Sequence, residues 1–112
     1  MSAVNVIPLP RKLPEPGELM KLVRKLAVDG AIAFGPNAFG QDDTQPEIDL
    51  NDAKLILQTG MIRGDIVPGI LPGEWKCTVV DKRERSPRWT EITAMVISDR
   101  RIYVLTAKLE EK

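Results

Sequence analysis

The residues best suited to chemistry lie in the last third of the chain. Lys82, Arg83, Arg85, Arg88, Arg100 and Arg101 form its strongest basic cluster, with Trp89 and Tyr103 nearby. Arginines can hold a nucleic-acid backbone while aromatic rings stack on bases. They can also stabilise phosphoryl transfer electrostatically. Glu84, Glu91 and Asp99 dilute the charge, so a solubilising hairpin surface is the competing reading. A second cluster is Asp42, Asp43, Glu47, Asp49 and Asp52. A hard cation such as Ca²⁺ takes such oxygens, but their spacing lacks the glycine and distal glutamate of an EF-hand loop. Helix capping accounts for Asp49 and Asp52 without a metal. Gly35 and Gly40 have the spacing of a P-loop but not its Lys-Ser/Thr. Glu74 and Lys76 share one strand face, as a catalytic pair or as a pair facing solvent with Trp75 and Cys77 in the core.

There is no histidine and only one cysteine, Cys77. Ser-His-Asp and Cys-His catalysis are therefore excluded, and so are ordinary zinc sites, which need three or four such ligands. No cofactor, no metal and no catalytic residue is expected. A lone cysteine forms no internal disulfide, which fits a reducing cytoplasm. The first residues hold no apolar run of signal-peptide length before their prolines, and no stretch approaches the length of a membrane span. The expectation is a soluble cytoplasmic protein with no membrane contact.

These residues must be positioned by a small scaffold. The chain has 112 residues, 43% of them apolar, enough for one domain with its own core. Net charge is zero but unevenly spread. Residues 1–28 carry a net of +3, residues 29–54 a net of −5 and residues 74–112 a net of +2. An acidic middle between basic ends can steer a charged partner, though charge runs are ordinarily solvated surface.

Pro8, Pro10, Pro14, Pro16 and Gly17 make residues 1–17 an extended arm, with residues 18–112 as the domain. A first helix is predicted from Gly17 or Glu18 to about Asp29. Leu19, Leu22, Val23 and Leu26 line one face of it, and Gly30 ends it in a left-handed conformation. AIAFG (31–35) is a short strand or extended segment, and residues 35–47 are a loop. A second helix is predicted from Leu50 to Gln58, with Asp49 as N-cap, Asp52 completing a capping box and Gly60 as stop. Its stripe is Ala53, Ile56 and Leu57, with Leu50. MIRGDI (61–66) is a short strand and VPGILPG (67–73) a connector.

The period then changes from 3.6 to 2. Trp75, Cys77 and Val79 share a face, as do Ile92, Ala94 and Val96, and as do Ile102, Val104 and Thr106. Residues 81–89 are a hairpin loop and Ser98-Asp99-Arg100 a tight turn. Residues 73–108 should form an antiparallel meander. The predicted fold class is α+β, two N-terminal helices on a three- to four-stranded meander sheet.

From about Leu22 onward the chain resembles a family of small bacterial domains of unknown function. The stretches that carry the likeness are VRKLAVDGAIAFGPNA (23–38), DLNDAKLILQTGMIRGDI (49–66), GEWKCTVV (73–80) and VLTA (104–107). Members of that family look like distant relatives of RelE-like and barnase-like ribonuclease toxins. The resemblance implies a helix–helix–sheet domain from toxin–antitoxin or mobile-element contexts. It also implies a histidine followed by alanine before the second helix, with arginines one and two turns later. Here the histidine position is Asn37, followed by Ala38, and residues 41–45 hold no basic residue. The acidic loop there, with Asp42 and Asp43, would repel phosphate.

The expected function is thus a catalytically degenerate toxin-like domain that binds a protein. Its surfaces are the segment 37–49, with Asn37, Asp42 and Asp43, and the basic hairpin 82–101. A homodimer through a free strand edge is a further expectation. One alternative is a His-independent ribonuclease or RNA-binding module using Arg83, Arg85, Arg88, Trp89, Arg101 and Tyr103, with Glu74 or Lys76. Another is a phage or mobile-element inhibitor of a host nuclease complex.

Overall fold

The computed structural model describes residues 13–36, 38–39, 48–82 and 89–109. It is an α+β fold in which two helices pack on one face of a six-stranded, mostly antiparallel sheet. Residues 1–12, 37, 40–47, 83–88 and 110–112 lie outside the described residues, so most of the proline-rich arm and of the acidic loop does too.

Helix α1 spans Pro16–Val28. Pro16, assigned above to the arm, and Gly17, offered above as a first residue of the helix, form its first turn, where a proline has no N–H to lose. Its C-terminus closes as a Schellman motif: Gly30 has φ +77°, its N–H donates to Ala27 O, and Ala31 N–H donates to Leu26 O. Leu19, Val23 and Leu26 are buried as the periodicity requires, and Met20 and Ala27 join them. Leu22 is half-buried against the same core.

Strand β1 is Ile32–Phe34. Helix α2 is Leu50–Thr59, and its capping box is formed: Asp52 N–H donates to Asp49 Oδ1 and Asp49 N–H to Asp52 Oδ2. Ala53, Ile56 and Leu57 are buried, but Leu50 is 54% exposed, so the predicted stripe begins one turn too early. Gly60 ends α2, though with φ −81° rather than a left-handed φ. Glycine is required there by close approach: a Cβ would lie 2.6 Å from Val80 O and 2.7 Å from Ile56 O.

Strands β2 (Met61–Ile62) and β3 (Val67–Pro68) are two-residue pieces, both antiparallel to β4. β3 falls within the stretch read above as a connector. The meander follows as β4 (Glu74–Lys82), β5 (Trp89–Ile97) and β6 (Arg101–Leu109). β1 adds to β6 in parallel. The path across the sheet is β1-β6-β5-β4-β2, with β3 also on β4. Six strands replace the expected three or four because short segments pair onto both outer strands of the meander.

One correction concerns register. The two-residue period puts Thr106 inward with Val104. Instead Thr106 is exposed and Ala107 is buried. Ala94 pairs with Val104 while Thr93 pairs with Thr106, which leaves Leu105 as the extra residue of a β-bulge. One inserted residue exchanges the faces of everything after it.

The core lies between the helices and the inner sheet face. Ile92, Val96, Ile102 and Val104 are fully buried there beneath Val23, Ile56 and Leu57. Each such aliphatic side chain contributes about 2 kcal/mol by leaving water. Arg24 Nη2 donates to Gly60 O at 3.1 Å and ties α1 to the end of α2.

Candidate binding surface

Alternation along β4, β5 and β6 sends every second side chain to the face opposite the helices. The ladders align these outward residues into rows. One row crosses five strands: Ala33, Tyr103, Met95, Lys76 and Val67 are successive Cα partners. On one side lies the row Glu74, Ile97 and Arg101. On the other lies a threonine ladder, Thr78, Thr93 and Thr106, followed by Val80, Glu91 and Lys108, of which Val80 is itself buried.

Tyr103, Met95, Ile97 and Leu105 are half-buried, and Val67 is 49% exposed. Both helices lie on the other side. The face therefore presents apolar and aromatic groups at its middle, with Lys76 among them, and further charges toward its ends. Its borders are shaped by close glycine contacts. A Cβ on Gly35 would lie 3.1 Å from Tyr103 Oη. A Cβ on Gly69 would lie 2.6 Å from Glu74 Cβ and 3.2 Å from Met95 Sδ. Glu74 Oε1 accepts the Leu71 N–H at 3.1 Å, which anchors the connector that brings Val67 to the sheet. Near the far end Arg63 and Glu91 form an ion pair at 2.7 Å.

Of the basic–aromatic group read from sequence, Arg101, Tyr103 and Trp89 are described, and all three belong to outward-facing positions. They do not form one cluster. Arg101 and Tyr103 lie in adjacent rows, whereas Trp89 is six residues along β5 from Met95, the partner of Tyr103. That separation is about 20 Å at the rise of a strand. Arg83, Arg85 and Arg88 lie outside the described residues, as do Asn37, Asp42 and Asp43. Of the described members of segment 37–49, Ala38 and Ile48 are buried, Phe39 packs against Phe34 with ring centroids 5.5 Å apart, and Asp49 is exposed as the N-cap of α2.

Glu74 and Lys76 do share the outer face, with Glu74 engaged at the connector. Cys77 is buried at 2% exposure, and desolvation pushes its thiol pKa up to about 11. It is a neutral core side chain, not a nucleophile. Among the described residues, no group of three or more Cys, Asp or Glu is placed to hold a metal ion, and no helix is long and apolar enough to cross a membrane.

The reading from sequence missed Met95, Ile97, Leu105 and Val67. A signal was present: in TEITAMVIS the residues alternating with the core set Ile92, Ala94 and Val96 include Met95 and Ile97. A strand apolar on both sides expects cover on both. Comparison with family models, with curated proteins and with solved structures finds no significant match.

Proposed function

We propose that this chain is a non-catalytic, toxin-like domain that acts by binding protein through the outer face of its sheet. The row Ala33–Tyr103–Met95–Lys76–Val67 carries this reading. A fully buried interface core is typically depleted in charge and enriched in Tyr and Met, with polar groups around it. The outer face follows that pattern in part: Tyr103 and Met95 stand at its middle beside the exposed Lys76, with Arg101 and Glu74 at one end and Glu91 and Lys108 at the other. The toxin lineage rests on the sequence stretches quoted above, with Asn37 at the family's histidine position.

The test is affinity capture from a bacterial lysate with three versions of the chain: native, Tyr103→Ser, and Lys54→Glu on the exposed side of α2. A stoichiometric protein, or a second copy of this chain where the lysate comes from cells that express it, is expected with the native chain and with Lys54→Glu, and not with Tyr103→Ser. Capture of the same protein by all three refutes the assignment of the face. If the captured protein is a nuclease subunit, the domain is an inhibitor. The RNA reading uses the same face through Arg101, Lys76 and Tyr103. Filter binding that retains RNA at low salt and loses it steeply as salt rises would replace protein by RNA as the ligand.

A further inference from the structure

We propose that the outer face of the sheet is the contact surface of a symmetric dimer whose two-fold axis runs along β5. This rests on reading that face as protein-binding and names its partner as a second copy of this chain. Three observations support it.

The first is the state of the sheet edges. An edge-to-edge dimer needs a long unpaired strand. β4 is paired on its far side by β2 and β3, and β6 by β1, with Ala107 N–H donating to Ala38 O beyond it. The strands left at the edges are two or three residues long. That leaves the face as the larger surface.

The second is area. Strands of nine residues run about 30 Å, and the sheet is about 20 Å wide at their middle, which gives roughly 600 Å² per copy. Two copies bury roughly 1,200 Å², the lower end of the range for specific interfaces.

The third is self-complementarity. An isologous contact requires residue i to meet j and j to meet i. An axis along β5 lays β4 of one copy over β6 of the other. The rows then place Met95 against Met95, Glu74 against Arg101, Lys76 over the Tyr103 ring and Thr78 against Thr106. A cation over an aromatic face and an opposed ion pair are both favourable. Two copies of Glu91 also meet near the axis, and each carries its own counter-charge in Arg63. Aligned sheets cross at about 30°, so the match is closest in the Met95 row.

The experiment is sedimentation equilibrium of the full chain up to about 0.1 mM, the range that reads micromolar dissociation constants. The expected result is a reversible dimer. Met95→Glu, which sets two carboxylates against each other on the axis, is expected to raise the dissociation constant at least tenfold with an unchanged circular dichroism spectrum. A native chain that stays monomeric, or a dimer indifferent to Met95→Glu, overturns the proposal. If Met95→Glu does not fold, Met95→Cys decides: a short bis-maleimide is expected to link two copies through residue 95 and not through a Lys54→Cys control, with buried Cys77 spared. No linkage at residue 95 overturns the proposal. A monomer that still captures a protein sensitive to Tyr103→Ser refutes the dimer and leaves the binding face standing.

Discussion

Gly60→Ala tests the packing that joins the helical layer to the sheet. Replacing a glycine with alanine at an ordinary φ normally stabilises, by about 0.4–1 kcal/mol, because the unfolded chain loses freedom. The φ of −81° at Gly60 is ordinary, so the backbone alone predicts a more stable variant. The surroundings predict the reverse. An added Cβ would sit 2.6 Å from Val80 O, 2.7 Å from Ile56 O and 2.9 Å from Val79 Cγ1. Two of these are backbone carbonyls and cannot rotate away. Ile56 O accepts the Gly60 N–H at 2.7 Å, and Val80 is paired to Met61 in the β2–β4 ladder. Relieving the overlap stretches one or both connections. Overpacking costs about 1–3 kcal/mol, and immovable neighbours place this case near the top. After the entropic gain, the net loss is about 2 kcal/mol. For a domain of this size that lowers Tm by about 8 °C. Thermal unfolding followed by circular dichroism reads it, with Gly17→Ala as the control, since nothing lies within 4 Å of a Cβ there. Gly17→Ala is expected to match or exceed the native Tm. A Gly60→Ala variant that melts at or above native would refute the claim that α2 and β4 meet through a gap the size of a glycine.

Three further outcomes follow from single residues. Thr90 is fully buried and its Oγ1 has no hydrogen-bond partner among the described residues, so the isosteric Thr90→Val should raise stability by about 1 kcal/mol in urea unfolding. Asp49→Ala removes both hydrogen bonds of the α2 capping box and should cost about 1 kcal/mol, with Asp49→Asn recovering most of it. The Cys77 thiol is raised in the folded state, from 9.0 to about 11. Its contribution is therefore fully present below the unfolded pKa and lost as pH rises through the folded one. Between pH 9 and 11 the native chain should lose about 2–3 kcal/mol relative to Cys77→Ala at the same pH. In native buffer near neutral pH the thiol should react with an aromatic disulfide only as fast as the domain opens.

Much of the scaffold was legible because its signals are local. The capping box needs only Asp49 and Asp52 at the right spacing, and the Schellman end needs only Gly30 after a periodic run. Both formed as read. Failures came where tertiary geometry decides. Leu50 satisfies the helical period but is the first residue of α2 and is exposed. β2 and β3 are too short to show periodicity and exist because β4 offers them a ladder. The Leu105 bulge leaves no mark in composition, since RIYVLTAKL alternates equally well with Thr106 or Ala107 inward.

The candidate surface was less legible because its parts are distant in sequence and united only by register. Ala33, Val67, Lys76, Met95 and Tyr103 come from five separate strands. None is notable alone. Reading by residue type favoured the arginine-rich hairpin, where charge and aromatics lie together along the chain, yet Trp89 and Tyr103 stand far apart on the sheet. The more informative feature was the apolar pair Met95 and Ile97 on the side of β5 away from the helices. A sheet exposed on one side gains solubility from charged outward residues. Leaving methionine, isoleucine and tyrosine there forgoes that gain and calls for cover. Among the described residues both helices are committed to the inner face and the outer strands of the meander are partly paired by β1, β2 and β3, and this is why the proposed partner is laid against the outer face.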